Sequence, residues 1–207
     1  MTDTNQPALP ENQQPILNIV GEKVALGPMR RDLIHLYLRW INDFEVVRFL
    51  GAAMRPTSLE AEETWYSGVS KGERGSYFTI YEKSQLRAIG TASLANIKHA
   101  HRTAEFGIMI GDKACWGRGY GTEVTRLMLE YGFTCLGLHN ISLSVQETNE
   151  RGIRAYQRAG FRIAGRIRQS LRLGGRAIDT ILMDCLATEF EGGALNHLLP
   201  ETSEATE

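Results

Sequence analysis

Trp116-Gly117-Arg118-Gly119-Tyr120-Gly121-Thr122 sets three glycines at the entrance to a run whose apolar residues recur at helical spacing. Those residues, Tyr120, Val124, Leu127, Met128, Tyr131 and Cys135, form one stripe that has to lie against a sheet. Glycines at a helix start let the backbone approach a ligand closely and leave several N–H groups unpaired at the positive end of the helix dipole. Such a place suits a phosphate. Arg118 inside the loop adds charge to the same anion, and Arg126 either does so or sits in solvent.

Upstream of the loop, three extended runs, Tyr77 to Tyr81, Ala88 to Asn96 and Thr103 to Ile110, are separated by polar turns, which predicts an antiparallel meander. Helices come earlier: Met29 to Ile41, a short one capped by Asn42-Asp43 and running to Leu50, and one starting at Ser58 with Glu62 and Glu63 in its first turns. Lys23 to Leu26 reads as a first strand. Downstream, Asn140 to Val145 is a strand and Asn149 to Ala159 a helix ended by Gly160. Phe161 to Leu173 and Ala177 to Leu186 are joined by the hairpin pair Gly174-Gly175. The expected fold is one α+β unit over residues 16–190, with polar tails at 1–15 and 191–207.

Composition narrows the partners. The 23 Lys+Arg and 24 Asp+Glu give a formal net charge of -1, so no overall field draws the protein to nucleic acid or an anionic membrane. Cys115, Cys135 and Cys185 are three cysteines with no C-x-x-C, which argues against a disulfide framework and for a reducing cytoplasm. No run of about 18 apolar residues occurs, and Met1 to Pro15 lacks the pattern of a secretory signal. His99 and His101 lack a third ligand in the pattern, so no metal site is expected.

Three anion-binding readings compete for the glycine loop. A P-loop needs G-x-x-x-x-G-K-[ST], and no Gly-Lys pair occurs in the chain. A dinucleotide fingerprint is half met by Gly117 and Gly119, and Glu147 imitates its ribose-binding acid, yet Asp112 to Trp116 separate strand from glycines where that motif needs a tight turn. The third reading is a pyrophosphate clamp. Here the sequence resembles the GNAT superfamily of N-acetyltransferases, whose motif [QR]-x-x-G-x-[GA] opens just such a helix, with Gly119 and Gly121 in the glycine positions and Trp116 in place of Gln or Arg. That departure resembles the branch of the ribosomal-protein N-terminal (alanine) acetyltransferases and the spermidine acetyltransferases. Asn149 to Phe161 is similar to that branch's N-x-x-A-x-x-x-Y-x-K-x-G-F, with Gly152 where Ala or Ser is usual. Trp40 to Asp43, Ala104 to Gly107, and Gly174 to Arg176 with Asp179 extend the likeness over roughly residues 22 to 187.

The resemblance implies a mixed, mostly antiparallel sheet with helices on both faces and a splayed parallel strand pair. It implies acetyl-CoA as cosubstrate, held by Ile108, Met109, Ile110, Gly117, Arg118, Gly119, Tyr120, Gly121, Thr122, Asn149 and Arg158. It also implies direct attack by an amine, with a peptide N-terminal α-amine as first acceptor and a polyamine or aminoglycoside as second. A non-catalytic CoA-binding module is the alternative from another class, and a homodimer is implied by the family. Transfer to an amine needs a base, because an ammonium is no nucleophile, and an acid for the departing thiolate. Glu105 is the candidate base, or else it ends an edge strand or pairs with an Arg. Tyr156 is the candidate acid, or else a packed aromatic; Asn149 also suffices as a plain N-cap. Arg151, Arg154 and Arg158 share one helix face, which meets either a cofactor phosphate or solvent. Cys115, beside the clamp with no paired His, reads as a packed thiol.

Overall fold

A computed structural model describes residues 14–50 and 54–198. Eight strands form one sheet in the order β1-β2-β3-β4-β5-β6-β8-β7. They are β1 (Ile19–Val20), β2 (Val24–Pro28), β3 (Gly75–Glu82), β4 (Arg87–Lys98), β5 (Thr103–Ile110), β6 (Asn140–Gln146), β7 (Arg162–Leu173) and β8 (Arg176–Leu186). The predicted meander is present, with β2 to β5 joined antiparallel in sequence order. Gly174 and Gly175, both at positive φ, close the β7–β8 hairpin, a conformation that two side-chain-bearing residues would adopt only under strain.

The exception to antiparallel pairing decides where a ligand goes. β5 and β6 run parallel and pair only through Thr103–Asn140, Ala104–Ile141 and Glu105–Ser142. Beyond Glu105 the β6-facing edge of β5 has no strand partner among the described residues, while β6 stays paired to β8 along its whole length. The two strands therefore open like a wedge, and the splayed pair that the resemblance implies is there.

Helices cover both faces. One side carries α1 (Ile34–Ile41), α2 (Phe44–Val47) and α3 (Leu59–Ser70), packed over a cluster of Tyr37, Trp40, Val46, Val47 and Tyr81. The other carries α4 (Tyr120–Glu130) and α5 (Glu150–Ala159), on the larger cluster that includes Ile80, Leu94, Phe106, Met128, Ile141 and Met183. Local chemistry explains the boundaries. Asp43 caps α2, its carboxylate accepting from Glu45 N at 3.0 Å, and Ser58 caps α3, accepting from Ala61 N at 3.3 Å.

Four sequence expectations need correction. The helix expected from Met29 begins only at Ile34, after a 3₁₀ turn at Arg31–Leu33. α2 stops at Val47 and not at Leu50. The stripe of α4 ends before Cys135, because Tyr131–Cys135 form a π-helical turn whose wider winding shifts the facing residues and leaves Cys135 exposed. Residues 191–198, expected to belong to a tail, are held in place: Glu130 accepts from Gly193 N at 2.8 Å and Leu195 N at 2.6 Å, and Leu195 is 3% exposed. The rest of the two expected tails, at 1–13 and 199–207, lies outside the described residues. Among those described, no helix is long and apolar enough to cross a membrane.

Candidate active site

The glycine loop begins where β5 ends. Trp116 Nε1 donates to the carbonyl of Ile110 at 2.8 Å, so the indole folds the loop back over the strand end. The Arg151 guanidinium stacks on the same ring at 4.5 Å from its centroid, tying loop to α5. Trp116 thus gives a structural reason for its presence where the family motif has Gln or Arg. Gly111, between strand and loop, is required to be small because a Cβ there would enter the Trp40 ring.

α4 then starts at Gly119, which has φ 86° and no side-chain cap, leaving its first N–H groups without a side-chain acceptor. Cβ atoms built on Gly117 and Gly121 would meet nothing within 4 Å. The helix start is therefore an open cradle, and a polyphosphate fits it on charge and on space. A cavity of ≈ 240 Å³ lies against this cradle. Its walls include Ile108, Met109, Ile110, Gly117, Gly119, Tyr120, Gly121, Thr122, Asn149, Tyr156 and Arg158, ten of the eleven cofactor contacts expected from sequence together with the candidate acid.

Arg118 is the eleventh and does not line it. Its side chain turns to Glu82, Nη1 to Oε1 at 3.1 Å, beside Tyr120 Oη donating to the same oxygen at 2.6 Å. Arg87 Nη2 donates to the other oxygen at 3.1 Å. Glu82 is only 4% exposed, and the Tyr120 hydroxyl with the two arginines holds its carboxyl below the usual range. A carboxylate this well satisfied fixes the loop to β3 at the expense of Arg118's freedom to meet an anion. Arg118→Ala is accordingly expected to leave the acetyl-CoA Kd within about twofold by calorimetry, since the side chain does not line the cavity and Glu82 keeps the Tyr120 and Arg87 donors that hold the loop. A tenfold loss would place the guanidinium on the cofactor instead. Arg126, the other basic residue considered for the clamp, donates to the Glu191 carbonyl at 2.9 Å.

α5 supplies the opposite wall. Asn149 caps it, Oδ1 accepting from Gly152 N at 3.0 Å, while also facing the cavity. A Cβ on Gly152 would come 2.5 Å from Asn149 Nδ2, so a side chain there would require the Asn149 amide to shift. Arg151, Arg154 and Arg158 all reach the cavity; Arg154 also pairs with Glu150 at 3.1 Å, and neither Arg151 nor Arg158 makes an ion pair among the described residues. Tyr156 stands edge-on to Phe106 at 6.1 Å and to Phe161 at 6.2 Å. Burial pushes its phenol up to about 12, so it is protonated throughout the neutral range. Burial likewise raises the Cys115 thiol, with Asp112 adding to it, and Cys115 is 2% exposed. That leaves it a poor nucleophile.

Glu105 is not brought to this group. It is exposed and accepts from Asn96 Nδ2 at 2.9 Å, and it lines neither cavity. It shares a face of β5 with Gly107 and Met109, which do line a second cavity of ≈ 540 Å³ between α1, α3 and strands β3 to β5. Of its lining, only Ile108 and Met109 are among the site residues expected from sequence, and those as cofactor contacts. Its walls include Tyr37, Leu50, Arg55, Glu62, Trp65, Tyr77 and Ser93, and it shares Leu50, Ile108 and Met109 with the first cavity.

A splayed strand pair, an uncapped glycine cradle and an arginine-bearing helix face together define a protein that holds an acyl-CoA. The chain belongs to the GNAT acetyltransferases: the family model for the Acetyltransferase (GNAT) domain matches residues 23–162. It is 35% identical over 163 residues to the spermidine N(1)-acetyltransferase of Escherichia coli K12, covering 79% of this chain and 86% of that protein. It is 25% identical over 173 residues to the uncharacterized N-acetyltransferase p20 of Bacillus licheniformis, covering 83% and 97%. The fold matches the crystal structure of spermidine N-acetyltransferase from Vibrio cholerae in complex with CoA and spermine, with TM-score 0.75, 24% identity and coverage of 81% and 97%. The chain is an acetyl-CoA-dependent N-acetyltransferase of the GNAT fold.

Proposed function

We propose that this enzyme acetylates a primary amine of a small aliphatic polyamine, with spermidine as the first acceptor to test. The observation that carries the proposal is the second cavity, walled by aromatic rings and sharing Ile108 and Met109 with the cofactor cavity. The relatives named as spermidine acetyltransferases support a small amine over the peptide α-amine that the sequence put first.

When bound, acetyl-CoA supplies an acetyl thioester. Gly117, Gly119 and Gly121 would receive the pyrophosphate on the start of α4, and Arg151 and Arg158 would hold the remaining phosphate charge. The free β6-facing edge of β5 at Ile108 to Ile110 would orient the pantetheine arm and offer backbone N–H groups to the thioester oxygen. Tyr156 would hold a proton on Oη for the departing sulfur. Glu105 takes up the proton lost by the amine, through water, because it lies outside the cavity wall. Self-association belongs to the same reading: β7 is an edge strand with Ile163 and Ile167 exposed, a surface a second copy would cover, and sedimentation gives its stoichiometry.

The test is thiol release from acetyl-CoA in the presence of spermidine or of a short peptide with a free N-terminus. Saturable release with spermidine and a far lower kcat/KM with the peptide is the expected result. The reverse order of preference would overturn the polyamine reading.

A further inference from the structure

β5 and β6 diverge toward their C-terminal ends, and one segment spans the gap between them. This is α2 with its flanks, Asp43 to Leu50, fixed on both sides. On the β5 side Lys113, just past the strand end, pairs with Asp43 at 2.8 Å and Glu45 at 3.0 Å. On the β6 side Gln146, the last residue of that strand, donates from Nε2 to the Arg48 carbonyl at 3.0 Å. Asn42 holds the foot, its Oδ1 accepting from Thr57 N at 2.9 Å and its Nδ2 donating to the Thr57 carbonyl at 3.0 Å. The run Trp40 to Asp43, singled out in the sequence, thus builds one support: Trp40 packs on Gly111, Asn42 ties the base, and Asp43 caps α2 while pairing with Lys113.

The Gln146 contact has no explanation in the sheet itself. Alternation along β6 sends Ile141, Leu143 and Val145 into the larger core and puts Asn140, Ser142, Ser144 and Gln146 on the opposite face. Of those four only Gln146 is buried, at 8% exposed, and the group it meets is a carbonyl just past the end of α2, which has no acceptor role left inside that short helix. A buried amide adds little apolar area, so its contribution is the hydrogen bond that fixes a segment 98 residues away in sequence.

What that segment carries decides the consequence. Val46 and Phe49 line the cofactor cavity, Val47 lines the second cavity, and Leu50 lines both, so a displacement of α2 moves a wall of each at once. Gln146 itself lines neither.

We infer that Gln146 is a positioning residue for acetyl transfer, whose hydrogen bond to Arg48 holds α2 across the open end of the wedge so that Val46, Phe49 and Leu50 shield the thioester from water. It acts through α2 and touches neither substrate. The inference rests on the placement of the cofactor in the wedge given above and does not depend on which amine is the acceptor.

The test compares wild type, Gln146→Met and Lys113→Met in amine-dependent transfer and in thioester hydrolysis with acetyl-CoA alone. Gln146→Met keeps the side-chain volume and removes the donor. Its kcat/KM for spermidine is expected to fall about tenfold through misplacement of the wall, while hydrolysis without amine rises severalfold as water enters. The acetyl-CoA Kd stays within about twofold, because the glycine cradle is untouched, and the melting temperature falls by about 2–4 °C for one lost buried hydrogen bond. A merely structural role would lower transfer and hydrolysis together. Lys113→Met frees the other end of the same segment and shifts the ratio of hydrolysis to transfer in the same direction by about twofold or more, and it serves alone if Gln146→Met does not fold. An unchanged ratio in the folded variants, or an equal loss of both reactions, overturns the assignment. Wild type inactive on spermidine would overturn the polyamine reading and leave the hydrolysis arm to decide this one, whereas wild type that binds no acetyl-CoA overturns the cofactor placement and this inference with it.

Discussion

Replacing Tyr156 by phenylalanine lowers kcat by about a hundredfold to ten-thousandfold, the range for loss of a positioned general acid, and leaves acetyl-CoA binding unchanged. The separation follows from the fold: among the described residues no side chain or carbonyl hydrogen-bonds the hydroxyl, while the ring packs on Phe106 and Phe161, and these contacts survive in the variant. Thermal melting therefore stays at the wild-type temperature. The pH profile carries the same signature. Burial pushes the phenol from its ordinary value of 10.0 up to about 12, so the proton-donating form is present below the ordinary value and is lost only as pH rises toward about 12. An alkaline limb of kcat near pH 8 to 9 must then come from another group, and should persist in what activity Tyr156→Phe retains. Full activity in the variant would return Tyr156 to the role of a packed aromatic.

The second large effect is at Gly121. Its Cβ would point into open space beside the cradle, so Gly121→Trp fills the place of the phosphates without pressing on the protein. Acetyl-CoA binding weakens by at least about a hundredfold, equivalent to ~2.7 kcal/mol, and the melting temperature holds. A glycine replaced inside a helix also gains propensity, which works against any loss of stability. Retained binding in titration calorimetry would mean that the cradle is a structural turn and that the cofactor lies elsewhere.

How much of this was legible before the structure depends on the range of the interaction involved. Local chemistry was readable: Asp43, Ser58 and Asn149 cap the helices they were assigned to, Thr103 to Ile110 is the strand it was read as, and Gly174-Gly175 makes its hairpin. The glycine cradle was readable because backbone N–H groups need no side-chain partner to be aimed. Arg118 was not, since its direction is set by Glu82, 36 residues away in sequence and buried by packing of β3. Glu62 reads as a helix-start acid in isolation, and its place in the wall of the second cavity shows only when α3 is laid over the β3 to β5 face. Glu105 illustrates the converse: a motif position was found correctly on β5, but alternation alone does not say how far along the strand a cavity extends. The two-residue strand β1 has too few positions to show any period.

The central claim is that the two substrates meet directly across Ile108 and Met109, with no acyl-enzyme, and initial-rate kinetics test it most directly. With acetyl-CoA and spermidine varied together, double-reciprocal plots should intersect, and protein quenched after exposure to labelled acetyl-CoA alone should carry no acetyl group. Parallel lines, with label recovered on Cys115 or another side chain, would contradict direct transfer and the roles built on it.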